Sequence, residues 1–157
     1  MTTASIGTVS HGTLNEDDLI EAFWNELEWQ LGRQERVPGT DECKELDKLR
    51  ENVLGRIQDS CWDENGDLIE DMDVIDEAII DLCDALDTFA PAYCYFGAHM
   101  GDGSDFGYWP DFDAIDELPN VQDSDEAREL GEDCKFVNDH GNVTVYAGNG
   151  SIVLELV

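Results

Sequence analysis

The sequence predicts an α+β protein: three N-terminal helices followed by an antiparallel β-meander of about five strands. Two patterns carry this expectation. From Leu19 to Phe89 apolar residues recur at helical spacing, whereas beyond Pro91 they gather in short aromatic and β-branched runs separated by Gly-, Asn- and Asp-rich turns. The hydrophobic content of 41% and four Trp argue for a packed core, and 157 residues fit one domain spanning 1–157. Residues 1–12 are small and polar and are expected to be flexible or edge-like.

The elements follow in order. Thr13-Leu-Asn-Glu16 has the form of a capping box, with Asn15 as a competing cap. Leu19, Ile20, Phe23, Trp24, Leu27 and Leu31 then form the stripe of a first helix ending near Gly32. Pro38-Gly39 breaks the chain and Thr40 caps a second helix, whose buried stripe is Cys43, Leu46, Val53, Leu54 and Ile57, with Cys61 as its furthest candidate. After a turn over 63–67, Asp73 is read as the cap of a third helix, with Val74, Ile75, Ala78, Ile79, Leu82, Cys83, Leu86 and Phe89 as its apolar face. In the second half, 93–99 and 106–109 read as strands joined by a Gly-rich link. Residues 110–117 read as a short acidic helix capped by Asp111, and 120–132 as a polar connection. Strands are expected at 134–138, 142–147 and 151–157, with hairpin turns at Asp139-His140-Gly141 and Gly148-Asn149-Gly150.

Charge is the anomaly. Against 38 Asp and Glu stand 8 Lys and Arg, a formal net charge of −30, and self-repulsion on that scale works against compactness. The imbalance is also local: Ile57 to Ala127 contains no Lys or Arg and 21 acids. Direct nucleic-acid binding needs a basic footprint, and an anionic membrane surface would repel this chain. The partner expected is a basic protein surface. The five cysteines are dispersed without a CxxC pair, and neither an export signal nor an apolar run of membrane-spanning length is evident. Reduced thiols in a cytoplasm are expected from that combination.

Three stretches invite chemistry. In WDENGDLIEDMD, Asp63, Asn65 and Asp67 match calcium-loop positions, but Leu68 stands where Gly is needed and Val74 where a bidentate Glu is needed, so a turn is the better reading. In GAHMGDGSDFGYW, His99, Asp102 and Asp105 (with Ser104 beside them) form the alternative site, a small metal-dependent enzyme or metal-binding centre. The chain holds no nucleophile elbow, phosphate loop or HExxH, so a non-enzymatic protein without a cofactor is expected. In DVIDEAIIDLCDALD, Asp73, Glu77, Asp81 and Asp84 recur along one side of the third helix, followed by Asp87. Asp111, Asp113, Asp116 and Glu117 form a second acidic set. A site that neutralises phosphates with Lys and Arg would accept such carboxylates in their place. An ordinary solvated face usually mixes Glu with Lys, which this one does not, and salt adaptation would coat the surface evenly.

Segments His11–Leu19, Tyr93–His99, Gly101–Trp109 and Asn138–Tyr146 resemble small acidic proteins of unassigned function encoded by tailed phages and related mobile elements. The resemblance implies a phage product acting in a bacterial cytoplasm and transfers no catalytic residue. In size and charge the chain is similar to phage DNA-mimic inhibitors of restriction enzymes and CRISPR complexes. The expected function is therefore blockage of the DNA- or RNA-binding surface of a host defence protein. An acidic adaptor for another phage protein is a further alternative.

Overall fold

The computed structural model describes residues 1–64, 68–69 and 71–157. Asn65 and Asp67 of the calcium-loop comparison, and part of the turn expected there, lie outside the described residues. The chain contains both helices and strands, but their arrangement corrects the expectation. The first element is a strand, and the strands form two three-stranded sheets in place of one five-stranded meander. Chain contacts divide the molecule into two compact units, one of residues 1–90 and 95–109 and the other of residues 91–94 and 110–157.

In the first unit, β1 (Gly7–His11) is an edge strand antiparallel to β3 (Asp102–Pro110), with Gly7 opposite Tyr108 and His11 opposite Asp105. β2 (Cys94–His99) lies on the other side of β3. Gly107 is required there, because a Cβ would collide with the Gly7 backbone. Upstream of β1 the tail is tied down. The Thr2 N–H donates to Gln34 Oε1 at 2.7 Å, Gln34 Nε2 returns a bond to Thr2 O at 2.9 Å, and the Ala4 N–H reaches Phe89 O.

Helix α1 (Glu16–Gly32) is capped by Asn15, whose side chain accepts from the Asp17 and Asp18 N–H groups. The competing cap thus prevails over Thr13. Thr40 caps α2 (Asp41–Lys48) as expected, accepting from the Cys43 N–H at 3.2 Å. The chain then widens into a π-helical segment, Leu49–Gly55, before α3 (Arg56–Cys61). No local residue pattern announced this widening, and we have no physical account of it.

Helix α4 (Met72–Asp87) packs against α1. Its N-cap is Asp71 and not Asp73, which lies one residue inside the first turn. The core joins Leu19, Phe23 and Leu27 of α1 to Ile75, Leu82 and Leu86 of α4 and to Phe96 and Tyr108 of the sheet.

In the second unit, α5 (Phe112–Asp116) is capped by Asp111, and α6 (Ser124–Leu130) occupies what read as a polar connection. Strands β4 (Cys134–Val137), β5 (Val143–Tyr146) and β6 (Ile152–Leu156) form an antiparallel meander. Ile115, Val145 and Leu154 fill one cluster under it, and Val121, Ala127 and Cys134 another. Tyr93 holds a left-handed backbone (φ 62°), an uncommon conformation for a bulky residue. Its hydroxyl donates to Asp133 Oδ2 at 2.6 Å, and that bond, more than burial, pushes its pKa up to about 12.

Candidate functional site

The acidic row on α4 is positioned by the helix's apolar stripe. Ile75, Ala78, Leu82, Ala85 and Leu86 are buried, so at about 100° per residue the opposite side faces solvent. Asp73, Asp76, Glu77, Ile80, Asp84 and Asp87 fall within an arc of about 100°, and Asp73 to Asp84 spans about 16 Å of axis. All six are exposed. Asp81 lies at the border of this arc and is half-buried.

The five residues first assigned to this face divide into two groups. Asp73, Glu77 and Asp84 project outward, and Asp76 joins them. Asp81 and Asp87 are engaged within the protein, and Glu77, though exposed, shares Arg56 with Asp81. The Arg56 guanidinium, at the start of α3, pairs with Asp81 and, at 3.2 Å, with Glu77 Oε1. Asp87 Oδ1 accepts the Phe96 N–H at 2.8 Å, which accounts for a carboxylate at a helix C-terminus, where the macrodipole disfavours negative charge. Replacing Asp87 by Ala should therefore cost about 1–3 kcal/mol by orphaning that amide. Chemical denaturation of the variant checks this, and an unchanged midpoint would contradict it. The row is thus not wholly without an internal cation. Among the described residues no Lys or Arg lies within ion-pair distance of Asp73, Asp76 or Asp84.

Two residues on this side were not picked out by the sequence reading. Ile80 is 60% exposed in the middle of the acids, and helical spacing alone places it there. Arg56 stands 21 residues before Glu77, and no local pattern signals their pairing. Cys83, beside the row, has its thiol pushed up to about 11 by burial and then by Asp84 and Asp87. It is a packing residue, with little thiolate to act as a nucleophile.

The second acidic set belongs to the other unit. Asp111 accepts the Ala114 N–H at 3.0 Å as the α5 cap. Asp116 pairs at 3.0 Å with Lys135 Nζ, whose side chain is largely buried and also donates to the Asp116 carbonyl. Asp113 and Glu117 are exposed. Two of the four carboxylates thus have structural work, and Asp113 and Glu117 are what remains for a partner.

His99, Asp102 and Asp105 are not brought together as a ligand trio. Asp102 Oδ1 accepts from the Ser104 N–H at 3.0 Å and from Ser104 Oγ at 2.8 Å, while Oδ2 lies 3.7 Å from His11 Nε2. His99 Nδ1 accepts the Gly101 N–H, and its ring packs edge-on against Trp109. Among the described residues no three His, Cys, Asp or Glu side chains converge on a metal position. The Ser104 bonds, with His11 and His99 adding attraction, hold the Asp102 carboxyl below the ordinary carboxylate range. A depressed folded-state pKa contributes stability above the unfolded value that is lost as pH falls through the folded one. Ser104→Ala should accordingly raise the Asp102 midpoint toward its ordinary value in an NMR titration; an unmoved midpoint would show that Ser104 does not set it.

No helix among the described residues is long and apolar enough to cross a membrane. The chain matches no family model, no curated protein and no solved structure.

Proposed function

We propose that this chain is a non-enzymatic, phage-encoded nucleic-acid mimic that occupies the DNA- or RNA-binding surface of a host defence protein in the bacterial cytoplasm. A CRISPR effector or a restriction enzyme is the favoured target. The observation that carries the reading is the outer face of α4. Asp73, Asp76, Glu77 and Asp84 are exposed over about 16 Å of helix, and among the described residues Arg56, paired with Glu77 and Asp81, is the only Lys or Arg within ion-pair distance of this row.

Such a row offers acceptors to Lys and Arg side chains that otherwise hold phosphates. Ile80 adds an apolar contact in its midst, which a protein interface uses and a phosphate backbone does not provide. Opposite charges steer the encounter, so association is fast at low ionic strength and slows as salt screens it. Asp113 and Glu117 supply a second, smaller acidic patch.

The test is capture of bacterial host proteins on the immobilised chain, repeated from about 50 to about 200 mM salt. The expected result is a nucleic-acid-binding protein retained at low salt, released progressively as salt rises, and released also by added DNA or RNA. Retention that ignores both salt and nucleic acid would sink the reading.

A further inference from the structure

A groove along the free edge of β1 is left unused by that reading. β1 pairs with β3 alone, and among the described residues no other backbone hydrogen bond reaches residues 7–11. Its outer N–H and C=O groups therefore stand open to a further strand.

Beside that edge lies a cleft of about 250 Å³, lined by residues 5–9 and by Glu26, Trp29, Gln30 and Arg33. The last four follow at i, i+3, i+4 and i+7, so they share one side of α1 and its cap. Five consecutive residues against one helix side make the lining elongated. Its volume is below the ~300–1,000 Å³ of small-molecule pockets, so a strand laid lengthwise fits it better than a compact ligand.

The helix side sets the chemistry of that strand. Glu26 is engaged by the Gln30 amide at 2.6 Å, and Gln30 is buried, which leaves Trp29 and Arg33 as the exposed groups. Trp29 is 63% exposed and Ile6, across the cleft's β1 side, 39%, so both offer apolar contact. Arg36, Lys44, Arg56, Arg128 and Lys135 pair with carboxylates, whereas among the described residues Arg33 does not. The net charge of −30 opposes an anionic visitor. Screening at physiological salt limits the reach of each exposed charge to about 8 Å, however, so Arg33 sets the local sign. Trp29 and Arg33 lie about 6 Å apart along the helix axis, close to the roughly 6.6 Å between same-face side chains of a strand.

We propose that β1 accepts an extended segment of a partner protein as a fourth strand of the β1-β3-β2 sheet, with an apolar side chain on Trp29 and, two residues along, an Asp or Glu on Arg33. Main-chain bonds to the edge supply affinity, and these two side chains supply selectivity.

The experiment is an NMR titration of the full chain with acetyl-Thr-Leu-Thr-Glu-Thr-amide and with acetyl-Thr-Glu-Thr-Leu-Thr-amide, which cover both strand directions. At least one should saturably shift the Trp29 indole signal and the amide signals of residues 7–9. Replacing its Glu by Lys should weaken binding by about fivefold or more, and Arg33→Glu should invert that preference. Arg33 is exposed, so this variant tests recognition without disturbing the core. Two further versions of the peptide carry N-methyl groups on alternate backbone nitrogens. Only the set facing β1 is needed for pairing, so one version should bind and the other should weaken by about tenfold or more. No saturable shift with either peptide, a preference for Glu that survives Arg33→Glu, or equal binding of the two methylated versions would each overturn the proposal.

Discussion

Asp76→Lys combined with Asp84→Lys should weaken binding to the basic partner by about 100-fold or more while leaving the fold intact. The two positions are eight residues apart on the exposed face of α4, and neither has a Lys or Arg within ion-pair distance among the described residues. Each reversal removes an attraction and installs a repulsion. A loss of about 1.5 kcal/mol or more at each site, the low end for close interfacial charge pairs, totals about 3 kcal/mol, or roughly 100-fold. Asp81 is the wrong position for this experiment. Its carboxylate is half-buried and engaged by Arg56, so a lysine there would set two cations against each other inside the protein.

Net charge alone could mimic the effect, and a matched control separates the two. Glu129→Lys with Asp139→Lys makes the same change in charge on exposed residues of the other unit. Surface plasmon resonance should show a modest slowing of association for the control and a much larger loss for the α4 pair. Equal losses would assign the effect to overall charge.

Phe23→Ala should be the most damaging single truncation to stability, at about 3–5 kcal/mol. Phe23 is wholly buried on α1, with ring centroids 5.1 Å from Phe96 and 5.5 Å from Phe106. It therefore joins the helical layer to β2 and β3, and its removal leaves a cavity that neighbouring rings only partly fill. For a chain of this size the melting temperature should fall by roughly 10 °C. Ile80→Ala is the useful contrast. That side chain is exposed, so stability should change by no more than about 0.5 kcal/mol while partner binding weakens. Thermal denaturation followed by circular dichroism distinguishes them, and a Phe23→Ala melt within about 2 °C of the parent would refute this core assignment.

Much of the helical part was legible because its signals are local. The stripe from Leu19 to Leu31 and that from Ile75 to Leu86 follow the 3.6-residue period, and Thr40 and Asp111 cap where their side chains suggested. The first strand was not legible. Gly7–His11 has few strongly apolar residues, and its partner β3 lies some ninety residues away. β3 also begins earlier than expected: Asp102–Asp105 is polar and Gly-containing, yet it belongs to the strand, with Asp105 opposite His11.

Helix α6 did carry signals that composition outweighed. Asp123 accepts from the Asp125 and Glu126 N–H groups, Glu126 Oε2 accepts from the Gln122 N–H, and Gly131 closes the helix at φ 74°. At the candidate site, periodicity placed the acids but said nothing about their partners inside the protein. Arg56 with Glu77 and Asp81, Asp87 with the Phe96 amide, and Asp116 with Lys135 are all set by tertiary structure. These contacts reduce the row to the carboxylates that remain for a partner, and they bring Ile80 into view among them.

Competition with nucleic acid tests the central claim most directly. The captured host protein is loaded with its labelled DNA or RNA, and this chain is titrated in while fluorescence anisotropy follows release. The mimic reading predicts full displacement with one-to-one saturation, a midpoint that rises with salt, and loss of displacement by the Asp76→Lys, Asp84→Lys chain. A ternary complex in which nucleic acid stays bound would contradict it.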